Sequence, residues 1–216
     1  MTRLIVFDLD GTLVDSRRDL ADSANALLVA SGATGLSEEA IGRMVGDGAA
    51  TLVARAFAAS GREPPAGALD QFLSIYDGRL LNHTRPYPKI ANVLTALGAQ
   101  ADLAVLTNKP RQATLRVLAG LDLARHFPAD RVVAGDGPFA RKPDPTGLQH
   151  LMAVAGVTPA ETVLVGDSVV DWRTARHAGT RVCLARYGFG FEGVPIEVLD
   201  ARTPILDRPE QLLTML

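Results

Sequence analysis

Apolar residues fall into two patterns along this chain. Short aliphatic or β-branched runs stand at residues 4–7, 103–106, 162–165 and 181–185, with a weaker one at 131–134. Between them, apolar positions recur at the spacing of amphipathic helices. A strand covered on both faces reads as a continuous apolar run, and such runs alternating with helical patterns indicate βαβ units. The pattern predicts an α/β fold built on a doubly wound parallel sheet. Ligands of such sheets bind beyond the carboxyl ends of the strands.

Residues 8–102 separate the first run from the second, far more than one crossover helix requires. Helices are expected at 17–31, stopped by Gly32, and at 37–45, capped by Ser37 and stopped by Gly46. Two more are expected at 49–60, stopped by Gly61, and at 68–82. The exit is marked by Thr84-Arg85-Pro86-Tyr87-Pro88, after which a helix over 89–99 leads into the second strand. The expected organisation is a core of residues 1–14 and 85–216 carrying a small helical domain at 15–84. A short closing helix is expected over 207–216, with Pro209 in its first turn.

Composition narrows the partners. The 216 residues are 47% hydrophobic and 21% charged, within the ordinary globular range. Lys plus Arg number 22 against 24 Asp plus Glu, so the net charge of −2 gives no overall positive field for nucleic acid or an anionic membrane. Any anion must be bound locally. No stretch approaches the roughly 18 consecutive apolar residues of a membrane span. The four-residue apolar run before Asp8 is too short for a secretory signal, so a cytoplasmic protein is expected, as a monomer or homodimer. The single cysteine, Cys183, excludes an intramolecular disulfide and any multi-cysteine metal site, and is expected to be a buried structural residue.

The chemistry gathers where the predicted strands end. After the first comes Asp8-Leu9-Asp10-Gly11-Thr12, two carboxylates that can face one site if the backbone bends at Gly11. After the second comes Thr107-Asn108-Lys109, whose hydroxyl and amide suit phosphate oxygens. After the third comes Gly166-Asp167-Ser168-Val169-Val170-Asp171, with Asp171 four residues past Asp167, the spacing of one helical face. Converging carboxylates repel one another, so a cation is expected among them, and an all-oxygen ligand set points to Mg²⁺. Arg141-Lys142-Pro143-Asp144-Pro145 offers another positive charge, a lysine on a proline-stiffened loop suited to clamp phosphate. Taken singly, these segments read as a turn after a strand, a helix N-cap and a solvated lysine.

Together and in this order, the four segments resemble the motifs of the haloacid dehalogenase superfamily of hydrolases over essentially the whole chain. The helical insertion is similar to that superfamily's C1 cap, set on a Rossmann-like core. The cap segment Arg43-Met44-Val45-Gly46-Asp47-Gly48-Ala49, with Thr107-Asn108-Lys109-Pro110, is similar to the phosphoglycolate phosphatase branch. The resemblance implies Mg²⁺-dependent hydrolysis of a small phosphorylated metabolite, with 2-phosphoglycolate the first candidate. It implies that Asp8 is the nucleophile that becomes an aspartyl phosphate. Asp10 would protonate the leaving alkoxide and then act as base toward water. The metal would be held by the side chains of Asp8 and Asp167 and by the backbone carbonyl of Asp10. Thr107, the backbone near Asn108 and Lys142 would surround the phosphoryl oxygens, with Asp171 orienting Lys142 or water. Arg43, Asp47 and Gly48, on a turn between two cap helices, would dip into the site and meet a small acid.

The same residues leave open a sugar-phosphate phosphatase, an inorganic pyrophosphatase or a phosphoglucomutase-like phosphotransferase. A dehalogenase is disfavoured by Asp10, because carbon–halogen displacement leaves no alkoxide to protonate. A phosphonatase is disfavoured because no lysine stands between Thr2 and Pro88 to form a Schiff base. A receiver-like phosphoacceptor module also uses aspartates, Mg²⁺, a threonine and a lysine, but would be a bare doubly wound domain without the helical insertion. An inactive binding descendant is disfavoured because every catalytic position is filled. Gly188-Phe189-Gly190-Phe191-Glu192-Gly193 matches a dinucleotide-binding fingerprint, yet Pro195 interrupts the helix that must follow. His83, His126, His150 and His177 lack zinc-ligand spacing, and Trp172 is expected to serve packing.

Overall fold

In the computed structural model, which describes residues 1–195, 197, 199 and 203–215, the first apolar run is strand β1 (Leu4–Phe7). A two-residue strand β2 (Val14–Asp15) follows, then four helices: α1 (Arg17–Ala30), α2 (Glu38–Gly42), α3 (Ala49–Ala59) and α4 (Ala68–Asp77). The chain returns through β3 (Arg85–Pro86), antiparallel to β2, so exit and re-entry lie side by side. It continues as α5 (Ile90–Gly98), β4 (Asp102–Leu106), α6 (Arg111–Gly120), β5 (Val132–Val133), α7 (Thr146–Ala155) and β6 (Thr162–Gly166). The remainder is α8 (Val169–Ala178), β7 (Arg181–Ala185), β8 (Ile205–Leu206) and α9 (Leu212–Met215).

The main sheet is parallel throughout, in the order β5-β4-β1-β6-β7-β8. The chain builds outward from β1 through β4 to β5, then crosses to the other side for β6. That reversal makes the carboxyl end of β1 the switch point where such sheets open a crevice.

Alternation along the strands explains their apolar runs. Ile5 and Phe7 enter one core with Val105, Val163 and Val165, while Leu4 and Val6 enter another with Ala104, Leu106 and Leu164. Helices α5, α6 and α9 cover the first face, and α7 and α8 cover the second. Each fully buried Leu, Ile or Phe contributes about 1.5–3 kcal/mol of hydrophobic stabilisation. The inserted helices share the first core: Leu20, Ala24, Leu27 and Leu28 line one face of α1 and pack with Phe57 and Phe72. Trp172 packs at the edge of the second core, and Cys183 is buried.

One buried acid ties the insertion to its exit. Asp19, 1% exposed, accepts backbone N–H bonds from His83 (3.0 Å to each oxygen) and Thr84 (2.8 Å), and the Thr84 hydroxyl at 2.7 Å. Asp19→Asn turns an acceptor into a donor facing donors, and is expected to lower unfolding free energy by about 1–3 kcal/mol. The denaturant midpoint measures it, and an unshifted midpoint would remove this anchor from the account.

Several expected elements shift. Helix α2 stops at Gly42 rather than at 45, and residues 43–48 form the turn into α3. Helix α4 stops at Asp77, and the segment to residue 82 proceeds by turns. The closing helix is shorter than expected: a 3-10 turn at Pro209–Gln211 and α9 occupy this region, strand β8 precedes it, and residue 216 lies outside the described residues. Among the described residues, no helix is long and apolar enough to cross a membrane.

Candidate active site

The loops after β1, β4 and β6 meet at the switch point. Asp8 is the first residue past β1; its N–H donates to the Val165 carbonyl at 2.9 Å, and its Oδ1 accepts the Leu9 N–H at 2.7 Å. The chain then turns at Gly11 with φ +85°. A Cβ at Gly11 would fall 1.9 Å from Asp167 Oδ2, so glycine is required both by the turn and by the approach of Asp167. The loop after β7 closes over the same carboxylate, with the Gly190 N–H donating to Asp167 Oδ2 at 2.8 Å. A Cβ on Gly188 would lie 2.2 Å from the Gly11 carbonyl oxygen. Gly188 and Gly190, the first two glycines of the segment rejected above as a dinucleotide motif, thus pack against the acidic loop, and their position just past β7 was their one sequence signal.

Asp8, Asp167 and Asp171 bring carboxylate oxygens within 4.8 Å of one another, all three buried. Lys142 Nζ lies among them, 3.0 Å from Asp8 Oδ1 and 2.6 Å from Asp171 Oδ1. The shared helical face expected for Asp167 and Asp171 is not how they meet. Asp167 precedes α8, Ser168 is the N-cap, and Asp171 closes a capping box through the Ser168 N–H and hydroxyl at 3.1 and 2.7 Å. The N-cap and the acidic cluster are one construction.

Burial, then the negative charge of Asp171, pushes Asp8 up to about 7 despite Lys142. Burial, then Asp171 and Asp8, holds Asp167 well above the usual carboxylate range. Burial alone would pull Lys142 down, but Asp171 and Asp8 hold its ammonium above the ordinary lysine value. Three buried carboxylates against one ammonium leave negative charge uncompensated, and every available ligand atom is a hard oxygen. The set fits a hard divalent cation.

Asn108 holds this loop rather than meeting phosphate with its amide. Its Oδ1 accepts the Lys142 N–H, and its Nδ2 donates to the carbonyls of Lys142 and Gly46, each at 2.9 Å. With both ends of the amide engaged, the expectation of an amide aimed at phosphate gives way to a bracket joining the Lys142 loop to the turn before α3. Thr107, 3% exposed, accepts the Lys109 N–H through its hydroxyl at 3.2 Å and keeps its own proton to donate.

The Asp10 carboxylate stands apart from the triad. Its Oδ1 accepts the Ser16 hydroxyl at 2.6 Å, and Lys109 Nζ lies 3.0 and 3.2 Å from its two oxygens. Ser16 is the N-cap residue of α1, yet its hydroxyl serves Asp10 instead of the helix. Lys109 also donates to the Tyr76 hydroxyl and sits 4.5 Å from that ring's centroid. The sequence reading noted Lys109 but assigned it no part, and it missed Tyr76 and Ser16, because their contacts span distant chain segments.

A cavity of about 300 Å³ opens beside Asp8, Asp10, Thr107 and Lys109. Leu20, Leu52, Phe72, Leu73 and Leu80 from the insertion form much of its apolar wall, and Gly46 and Gly48 complete one side. Neither Arg43 nor Asp47 lines it, contrary to the expected dip into the site. Arg43 reaches outward to Glu192 at 3.4 Å and Asp47 pairs with Arg55 at 2.6 Å, because the turn presents its backbone to the cavity and its charges to solvent-side partners.

Comparison with known proteins places these residues in context. Residues 5–185 match the family model described as haloacid dehalogenase-like hydrolase. A phosphoglycolate phosphatase of Rhodospirillum rubrum is 41% identical over 203 residues, spanning 90% of this chain and 83% of the relative. Phosphoglycolate phosphatase 1 of Pseudomonas aeruginosa is 35% identical over 221 residues, spanning 99% and 79%. The crystal structure of a predicted phosphoglycolate phosphatase from Haemophilus somnus superposes with a TM-score of 0.90 at 32% identity, covering 99% of this chain and 97% of the other.

Proposed function

Because this chain belongs to the haloacid dehalogenase-like hydrolase family, we propose that it is a Mg²⁺-dependent phosphatase that hydrolyses 2-phosphoglycolate through an aspartyl phosphate on Asp8. The observation that carries this is the Asp8 carboxylate, held between Lys142 and two further buried aspartates at the head of a cavity, with Asp10 two residues away. Residues 15–84 act as a cap over that cavity. Cys183, 1% exposed with its thiol pushed up to about 11 by burial, is unreactive and suits a cytoplasmic setting.

Asp8 attacks phosphorus as the bond to the leaving oxygen breaks, and Asp10 gives its proton to the departing alkoxide. Asp10 then takes a proton from water, which attacks the same phosphorus, releasing phosphate and restoring Asp8. Ser16 and Lys109 fix the direction in which Asp10 presents its carboxyl. Lys142 and the Thr107 hydroxyl receive the equatorial phosphoryl oxygens, where charge is greatest. When bound, Mg²⁺ would be held by the side chains of Asp8 and Asp167 and the carbonyl of Asp10, and would neutralise phosphoryl charge. Asp171 keeps Lys142 in place.

Phosphate release from 2-phosphoglycolate, sugar phosphates and pyrophosphate, measured with Mg²⁺ and with EDTA, tests the proposal. Metal-dependent selectivity for 2-phosphoglycolate is expected. Preference for a sugar phosphate or pyrophosphate would discard the substrate, and no release from any compound would overturn the phosphatase.

The acidic triad also predicts a pH dependence. Carboxyls raised in the folded state bind more protons than the unfolded chain between roughly pH 4 and 7, so their contribution to stability falls as pH rises through that window. The Lys142 ammonium is likewise held above its ordinary 10.5, so it stays charged across this window and adds no slope there. Thermal melts should therefore show Mg²⁺ raising the midpoint more at about pH 8 than at pH 5. Equal stabilisation at both values would contradict the triad as the ion's seat.

A further inference from the structure

Among the described residues lining this cavity, Lys109 is the only cation; Asp8, Asp10, Asp77 and Asp136 are acidic, and most of the rest are apolar. A phosphomonoester whose organic part ends in a carboxylate would carry that charge into this wall, where an unpaired anion is costly. Arg43, the other cation first considered, has a 55% exposed side chain and is paired with Glu192 outside the cavity.

Lys109 and Tyr76 are 6% and 3% exposed and keep unused hydrogen-bonding capacity on the cavity wall. Lys109 meets both oxygens of Asp10 and the Tyr76 oxygen, which one bifurcated N–H and a second N–H satisfy, leaving the third. Tyr76 accepts from Lys109, so its own hydroxyl proton remains, and among the described residues no acceptor takes it. Lys109 follows β4 and Tyr76 stands on α4, so the couple exists only where the inserted helices meet the sheet.

We infer that Lys109 Nζ and Tyr76 Oη form the subsite that receives the substrate's carboxylate, making them the specificity determinants for an anionic leaving group. The inference rests on the 2-phosphoglycolate reading and adds to it the residues that distinguish this ester from neutral ones.

The test compares 2-phosphoglycolate with ethyl phosphate, which has a methyl where the carboxylate stands, in the full-length protein with Mg²⁺. Wild type should favour 2-phosphoglycolate. Tyr76→Phe, which keeps the ring, should raise KM for 2-phosphoglycolate about tenfold and leave KM for ethyl phosphate within about twofold. Lys109→Met should lower the ratio of the two kcat/KM values by about 10- to 100-fold, whatever it does to turnover through Asp10. If wild type favours 2-phosphoglycolate but neither variant changes the ratio, the subsite is overturned and the substrate reading stands. If wild type treats the two esters alike, the substrate reading itself fails and the subsite with it.

Discussion

Asp8→Asn is expected to lower kcat by roughly 10⁴-fold or more with the fold unchanged. The amide is a poor nucleophile, so on the proposed mechanism the covalent step is lost rather than slowed. The fold should survive because asparagine can still accept the Leu9 N–H, and the triad loses one of three mutually repelling carboxylates. Lys142 keeps Asp171 as its partner at 2.6 Å. Metal-free Asp8→Asn protein should therefore melt no lower than wild type, and circular dichroism alongside phosphate release separates the two properties. Retained turnover would remove Asp8 as nucleophile, whereas a collapsed melt would reassign it to the framework.

Lys142→Met should have the largest effect on stability. Its ammonium is the cation bonded to Asp8 and Asp171, and its side chain is 1% exposed. Removing one partner of a buried ion pair costs about 3–5 kcal/mol because the remaining charge is stranded. For a chain of this size that corresponds to a melting temperature lower by about 6–20 °C in EDTA. Turnover should fall by roughly 10²–10³-fold as well, since the phosphoryl oxygens lose a charge-assisted donor. Adding Asp171→Asn to Lys142→Met should recover part of the melting temperature without recovering turnover. A single variant that melts with wild type would show that Lys142 does not neutralise the triad.

What the sequence disclosed follows from how locally each feature is encoded. Strands β1 and β7 are buried along most of their length and stand as apolar runs, β7 after its first residue Arg181, so their bounds are readable. Strands β2, β3 and β8 are two residues each, too short for any period, and β8 was hidden in a tail whose Pro209 suggested only a helix start. Helix α2 ends where a Cβ at Gly42 would lie 2.9 Å from Arg17 Cδ, a tertiary crowding that helical periodicity does not carry. The positions of Asp8, Asp167 and Lys142 were legible because each follows a strand or a stiffened loop. Their partners were not. Asp10 is matched with Lys109 across 99 residues, Asn108 with Lys142 across 34, and Arg43 with Glu192 across 149. Charge named the candidate members, and only the fold decided that Asp8, Asp167 and Asp171 cluster around Lys142 while Asp10 pairs with Lys109.

That division gives Asp8 and Asp10 separable roles, and trapping the phosphoryl group tests them most directly. Asp10→Asn protein is mixed with 4-nitrophenyl phosphate and Mg²⁺, quenched in acid, and its peptides are weighed. The nitrophenolate leaves without an acid, while attack of water lacks its base, so the intermediate should accumulate. A phosphoryl adduct on the peptide containing Asp8, absent when Asp8→Asn is added, is the expected result. An adduct on any other residue, or release of nitrophenolate with no adduct at Asp8, would contradict the covalent mechanism.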